Sequence, residues 1–418
     1  MTKDIFKQLI AEYQQKVVEL KFQTRNIPID AKLNYVFTGL RRVGKSYFMY
    51  QIINNLIQQC HSSKEILYFN FEDDRIASLS LSDLDLLKQS FEEMYDVKPI
   101  FFLDEIQVVE KWEKFARRLA DQGYQVYITG SNAKMLSSEI ATTLGGRFMI
   151  QHIYPFSFSE YLISLGIDMA DKNIQYSHSK EINKAFQIYF HFGGLPEHFN
   201  LTDKRAWLSN LFQKLFFGDI VTRYQVRNDF ALKILVRKLA ESVKQPTSFT
   251  RLTNIVSSAG KKISTDTVID YLSYLSENWI CFGVENINAK LAEKQSNKKY
   301  YFSDNGILNL FLLDPNTILL ENIVAIQLQR QYGNEMYYYQ NGVEVDFYIP
   351  EKHLAIQVCY DISDEVTHKR EVNALFKMSK QFDNLRYLII TKEHSETIIE
   401  NNLRIEVISV WKWLLLSS

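Results

Sequence analysis

Cysteine is scarce: Cys60, Cys281 and Cys359 are the three in 418 residues, far apart and without paired spacing. That excludes a disulfide framework or a cysteine zinc site and predicts a reducing, cytoplasmic location. Glycine (15) and proline (7) are also few, against 46% apolar and 23% charged residues, which excludes collagen-like, low-complexity and disordered chains. No sign of charge dominates. Lys plus Arg total 48 against 49 Asp plus Glu, a net charge of -1, so any recruitment of nucleic acid or anionic membrane must be local. No basic-then-apolar leader opens the chain, and no apolar run approaches the roughly 20 residues that span a bilayer. The terminal WKWLLL is too short, so no membrane partner is expected. What is present is ample chain: at roughly 150 residues per domain, two or three domains with sizeable cores.

After a polar, helix-like segment from Asp4 to Phe22, the apolar runs LNYVFT, ILYFNFE, PIFFLDE and QVYITGS alternate with helical patterns, which predicts a parallel α/β sheet. In the first such helix Met49, Ile52, Ile53, Leu56 and Ile57 form one stripe at the 3.6-residue period, the face that packs on the sheet. From about Tyr154 the pattern becomes helical up to about Lys244, broken by FGGLPE. Between Thr250 and Asp304 a short helix, a turn at Gly260, a longer helix from Thr265 and a hairpin suggest a winged helix. Beyond Pro315 a helix and several strands read as a separate mixed α/β unit. The expected division is therefore an α/β core over 1–155, a helical subdomain over 156–230, a winged helix over 231–312 and a last unit over 313–418.

The segment GLRRVGKS, Gly39 to Ser46, sits between an apolar strand and an amphipathic helix and fits G-x-x-x-x-G-K-[ST]. Glycines let backbone N–H groups close around phosphate oxygens, and a helix N-terminus adds partial positive charge. The candidate cofactor-binding residues are Gly39, Leu40, Arg41, Arg42, Val43, Gly44, Lys45, Ser46 and Tyr47. Lys45 would neutralise the β and γ phosphates, and Ser46 would hold Mg²⁺. About 60 residues later IFFLDEIQ places Asp104 and Glu105 at the end of an apolar strand, where the sheet's ligand edge lies. Asp104 is expected to hold the metal through water and Glu105 to polarise the attacking water. A third strand, QVYITGSN, presents Ser131 and Asn132 toward the γ-phosphate or the water. No T/N-K-x-D guanine-reading motif follows, which favours ATP over GTP.

With GLRRVGKS, NFEDD, FFLDEIQ, TGSN, LGGR, PFSFSEY, FGGLP, YFSDNGI, ENIVA and EVDF in this order, the chain resembles bacterial and archaeal AAA-type ATPases related to the STAND class, which carry a nuclease-like domain of unknown function at the C-terminus. The resemblance covers nearly the whole length. It implies a sheet with the third-motif strand inserted between the other two, ATP with Mg²⁺, and an arginine that completes the site. LGGR offers Arg147 for that role, reaching a neighbouring subunit's γ-phosphate in a homo-oligomer. It also implies that Gly194 and Pro196, in FGGLP, let the helical subdomain sense nucleotide.

The helix from Thr265 carries Asp266, Asp270 and Glu277 and no Lys or Arg, which suits protein contact better than a DNA groove. Lys261, Lys262, Lys298 and Lys299 are the nearby cations available for nonspecific contact with a nucleic-acid backbone. The last unit resembles a restriction-endonuclease core, with Glu321 and Asp346 retained but Gln357 and Cys359 where an active member has an acid and a lysine. Two carboxylates with no nearby cation predict a retained fold without cleavage. The expected function is a Mg²⁺-dependent ATPase acting as a conformational switch, its C-terminal domain recognising an unidentified protein or nucleic acid. The alternatives are an ATP-powered DNA-binding protein or nuclease in defence or repair, and a nonenzymatic nucleotide-stabilised scaffold.

Overall fold

The computed structural model describes residues 2–76, 79–131, 138–167, 169, 178–260, 262–400 and 402–417. Contacts divide the chain into two compact units, Met1–Ile153 and Tyr154–Ser418.

In the first unit α1 (Lys3–Glu19) precedes β1 (Asn34–Thr38), α2 (Lys45–Gln58), β2 (Ile66–Asn70), α3 (Leu81–Tyr95) and β3 (Ile100–Asp104). Then come α4 (Trp112–Asp121), β4 (Val126–Gly130), α5 (Ser138–Leu144) and β5 (Phe148–His152). The strands pair in parallel in the order β2-β3-β4-β1-β5, so β4 lies between β1 and β3 as the resemblance implied. β1, β3 and β4 are apolar nearly throughout because both faces of the sheet are covered. Tyr127 stacks between Tyr35 and Phe102 at ring separations of 6.2 and 4.7 Å, and Phe37 meets Phe48 of α2 edge to face. The stripe on α2 buries Met49, Ile52, Ile53 and Leu56 against this layer. Each such side chain contributes about 1.5–3 kcal/mol on burial. β5 escaped the sequence pattern. It is an edge strand in which only Phe148, Met149 and Ile150 are consecutive apolar residues before Gln151 and His152, and Met149 and Ile150 stay exposed.

In the second unit α6 (Phe158–Ser164), α7 (Ser179–Phe192), α8 (Lys204–Gln213), a π-helical stretch (Lys214–Thr222) and α9 (Asp229–Glu241) come first. The short β6 (Thr247–Ser248), α10 (Phe249–Ser258), α11 (Thr265–Glu277), β7 (Cys281–Asn286) and β8 (Asn297–Phe302) follow at the positions read as two helices and a hairpin. Beyond short helices at Leu291–Ser296 and Asn305–Asn309, the unit continues with α12 (Asn316–Tyr332), β9 (Tyr337–Gln340), β10 (Glu344–Ile349), β11 (Leu354–Cys359), α13 (Glu365–Ser379), β12 (Arg386–Thr391), β13 (Glu396–Glu400), β14 (Leu403–Ser409) and α14 (Val410–Leu416). One nine-stranded sheet runs through this unit in the order β13-β14-β12-β11-β10-β9-β7-β8-β6. The boundary expected at 312/313 is thus crossed by the parallel pairing of β7 with β9, which satisfies backbone groups that two separate sheets would leave as open edges. Among the described residues no helix is long and apolar enough to cross a membrane.

Candidate functional site

The loop between β1 and α2 is shaped by two glycines. Gly39 turns the chain at φ +146°, where a Cβ would lie 2.3 Å from the Ile153 carbonyl oxygen, so only glycine is admitted. Gly44, at φ +97°, leads directly into the first turn of α2. Leu40 and Val43 are buried beneath the loop, and the Val43 N–H donates to the Leu40 carbonyl at 3.3 Å. Arg42 is exposed and takes a left-handed φ of +62°, a strained value for a residue with a side chain.

Lys45 is only 4% exposed, and its Nζ donates to the carbonyls of Gly39 and Leu40 at 3.2 Å each, inside the concavity of the loop. Arg41 spans to Glu72 of NFEDD, with Nη2 donating to both carboxylate oxygens at 3.3 and 3.2 Å. Tyr47 is exposed in the first turn of α2, its ring edge-on to Tyr50. The N–H groups of that first turn have no intrahelical carbonyl to meet.

Parallel strands bring the acids to the same edge. Asp104 ends β3 beside Thr129 of β4, whose hydroxyl donates to Asp104 Oδ1 and accepts from the Glu105 N–H at 2.9 Å. Tyr68 of β2 donates to Asp104 Oδ2 at 2.6 Å, and the Ser46 hydroxyl is near enough to lower the proton affinity of this carboxylate. Burial, with the neighbouring charge of Glu105, raises the proton affinity of Asp104 against these hydrogen bonds.

Glu105 leaves the strand at φ +53° and turns its side chain toward the loop. Its Oε2 accepts from the Ser131 N–H at 3.2 Å, the Ser131 hydroxyl at 3.1 Å and Gln107 Nε2 at 2.5 Å, while Oε1 lies 3.7 Å from Lys45 Nζ. Burial alone would push this carboxyl up. The Lys45 charge, the bonds from Gln107 and Ser131 and the field of Arg41 overcome it and hold Glu105 below its ordinary value.

Lys45, Ser46, Asp104, Glu105 and Ser131 therefore stand together, and Asn132 lies outside the described residues. Arg147 does not join them in its own chain. The register Asn34↔Phe148 and Thr38↔His152 puts it at the start of β5, whereas the phosphate loop follows the end of β1. Five strand residues at about 3.3 Å each separate those edges by roughly 17 Å. There Arg147 pairs with Asp121 and donates to the Gly145 carbonyl.

Thr129, Tyr68 and Gln107 were not singled out in the sequence. The available signal was the period of two: with Tyr68 paired to Phe102, the residues Tyr68, Phe102 and Asp104 share one face.

Gly194 and Pro196 lie in the second unit, Pro196 opening a short 3₁₀ turn. The Gly194 N–H donates to Asp304 Oδ2 at 2.8 Å, its carbonyl accepts from the Phe156 N–H at 2.7 Å, and a Cβ on it would lie 2.3 Å from the Phe156 oxygen. FGGLP, PFSFSEY and YFSDNGI thus meet at one glycine. Burial pushes Asp304 up to about 6.

One expectation about the C-terminal acids is overturned. A cation does stand beside Glu321 and Asp346: Lys299 of β8, fully buried, has its Nζ 3.2 Å from Glu321, 3.1 Å from Asp346 and 2.6 Å from Glu344. Sequence spacing on β11 gave no hint of it because the lysine comes from the hairpin. Lys299 therefore does not face a nucleic-acid backbone, Lys298 pairs with Glu285 at 2.9 Å, and Lys261 lies outside the described residues. Gln357 accepts from the Asp346 N–H at 2.8 Å and donates to Glu371 at 2.8 Å, while Cys359 donates to the Asp361 carbonyl. Burial and the Asp346 charge push Glu321 up to about 7 in spite of Lys299. Glu321, Glu344, Asp346, Gln357 and Glu371 border a cavity of about 340 Å³.

A family model described as an AAA domain matches residues 32–162, and one described as a domain of unknown function matches residues 183–317. The chain is 33% identical to an uncharacterized protein of Methanocaldococcus jannaschii, covering 96% of this chain and 91% of that one. It is 30% identical to an uncharacterized protein of Haemophilus influenzae, covering 96% and 97%. Among solved structures, the Walker-type ATPase PABY2304 of Pyrococcus abyssi is 15% identical with a TM-score of 0.40, covering 72% of this chain and 95% of that one.

Proposed function

Since this chain belongs to the AAA-type P-loop ATPases, we propose that it binds ATP with Mg²⁺, hydrolyses it slowly, and uses the nucleotide state as a conformational switch. The observation that supports this is the meeting of Lys45, Ser46, Asp104, Glu105 and Ser131 beside a glycine-built loop. In this reading the loop from Gly39 to Tyr47 cradles the phosphates, and Lys45 neutralises the β and γ oxygens. Glu105 orients and deprotonates the attacking water, and Ser131 and Asn132 position it against the γ-phosphate.

Mg²⁺ suits the donors present. The Ser46 hydroxyl and the Asp104 carboxylate are hard oxygens, and Mg²⁺ is usually bound through one or two carboxylates, substrate phosphates and waters. When bound, the ion would neutralise charge developing on the phosphates. Arg147 keeps a role only toward the nucleotide of another copy. Gly194 and Pro196 couple the second unit to the nucleotide, and that unit recognises a protein or nucleic-acid partner.

A second reading, a DNA-acting nuclease, is favoured by the Lys299 ammonium beside Glu321 and Asp346. Against it, both Asp346 oxygens are already engaged, one by Lys299 and the other by the Val358 N–H at 2.9 Å. We therefore keep recognition as the role of this unit.

Fluorescent-ATP titration with Mg²⁺, followed by single-turnover phosphate release, tests the main reading. Tight binding with phosphate release supports it; tight binding without release supports a nonenzymatic scaffold. No binding removes both. Magnesium-dependent nicking of plasmid DNA that vanishes in Asp346→Ala would establish the nuclease.

A further inference from the structure

Asp104 is held by more than the loop it faces. Its Oδ2 accepts from the phenol of Tyr68 at 2.6 Å, and the Tyr50 hydroxyl lies 3.0 Å from that of Tyr68. Because Tyr68 spends its proton on Asp104, Tyr50 is the donor in the second contact. The relay begins on α2, where Tyr50 stands one turn after Ser46, and ends on the carboxylate whose proton affinity the nearby Ser46 hydroxyl lowers.

All three side chains are buried. A phenylalanine would fill the space of Tyr68 equally well, whereas a buried hydroxyl costs free energy unless it is bonded. The hydroxyl thus has its use in the bond to Asp104 rather than in packing. With Thr129 donating to Oδ1 and Tyr68 to Oδ2, the plane of the carboxylate is fixed and its remaining lone pairs are left for the Ser46 side.

We infer that Tyr68 is a positioning residue for the magnesium site, orienting Asp104 through its phenol, with Tyr50 tying that orientation to the helix that carries Ser46. The inference rests on the ATP·Mg²⁺ reading above. Residues that hydrogen-bond a metal's ligands typically change metal affinity about 10- to 100-fold when removed, without touching the metal.

The test is calorimetric titration of a non-hydrolysable ATP analogue into full-length wild type, Tyr68→Phe and Tyr50→Phe, in EDTA and across a Mg²⁺ series, with thermal melting as the check on folding. Tyr68→Phe is expected to keep the EDTA affinity within about twofold and to raise the Mg²⁺ concentration for half-maximal tightening about 10-fold. Tyr50→Phe shifts it in the same direction by less. An unchanged Mg²⁺ requirement in a folded Tyr68→Phe overturns the inference. So does an equal loss of affinity with and without Mg²⁺, which marks a structural role. If Tyr68→Phe does not fold, the Tyr50→Phe shift decides alone. Failure of the wild type to bind the analogue would instead remove the ATP reading itself.

Discussion

Lys45 and Glu105 face each other across the phosphate loop with Nζ and Oε1 3.7 Å apart, the ammonium in the interior and the carboxylate nearly so. Neither charge is solvated well enough to be indifferent to the other, so each is held partly by its partner. The same lysine that would meet a phosphate thus sets the ionisation of the carboxylate that would activate water.

Lys45→Ala removes two hydrogen bonds from a charged donor at the loop. At about 1.5 kcal/mol for each such bond made to phosphate, the affinity for fluorescent ATP is expected to fall on the order of 10²-fold. Normal ATP binding by this variant would end the phosphate-loop assignment.

Glu105→Gln keeps the size of the side chain and most of its contacts with Ser131 and Gln107. Binding should survive while turnover drops on the order of 10² to 10⁴, the usual contribution of a general base. Phosphate release measured beside equilibrium affinity separates the two effects, and unchanged turnover would assign the base elsewhere.

Arg147 sits at the opposite sheet edge from the loop of its own chain. In dilute protein, Arg147→Ala should therefore match wild-type turnover within about twofold, while at high concentration only the wild type accelerates if copies complete one another's sites. Wild-type specific activity that stays flat across a wide concentration series argues against any role in trans.

Lys299→Met leaves Glu321, Asp346 and Glu344 without the ammonium that they surround. Removing one partner of a buried charge cluster costs about 3–5 kcal/mol, so urea unfolding should show a loss of that size. A variant as stable as the wild type would mean that the carboxylates are solvated or protonated in the native protein.

His198 is 1% exposed and, among the described residues, neither ring nitrogen has a hydrogen-bond partner; burial, aided by Lys204, lowers its pKa to about 4 from an ordinary 6.5. The unfolded chain takes up a proton near pH 6.5 that the native protein refuses until about pH 4. The stability tied to this group is therefore complete above pH 6.5 and is lost as the pH falls through that window. The full shift corresponds to about 3 kcal/mol. His198→Phe, packed against Phe199 and Trp207, should flatten the decline between pH 6.5 and 4.5 in urea unfolding. An equally steep decline would place the titration in other groups.

The phosphate loop, the acids closing β3 and the insertion of β4 between β1 and β3 were legible from the chain, the first two as motifs and the third through the family resemblance they carry. The hydroxyls of Tyr68 and Thr129 were not, since a polar atom inside an apolar strand gains meaning only when the neighbour's register is known. The position of Arg147 was hidden for a related reason: the short apolar run Phe148-Met149-Ile150 of β5 does not by itself announce which strand it pairs with or in which direction.

Residue order by itself determined the loop from Gly39 to Ser46, because its backbone angles, its lysine and its helix start all act within one short stretch of chain. Which partners meet at a distance was decided only by tertiary structure. Lys299 is separated from Glu321 by 22 positions and from Asp346 by 47, and it reaches them because β7 pairs with β9 and joins the two halves of one sheet. Burying the Lys299 ammonium and Glu321 makes charge neutralisation necessary there, and no local pattern in the sequence encodes a condition that exists only after burial.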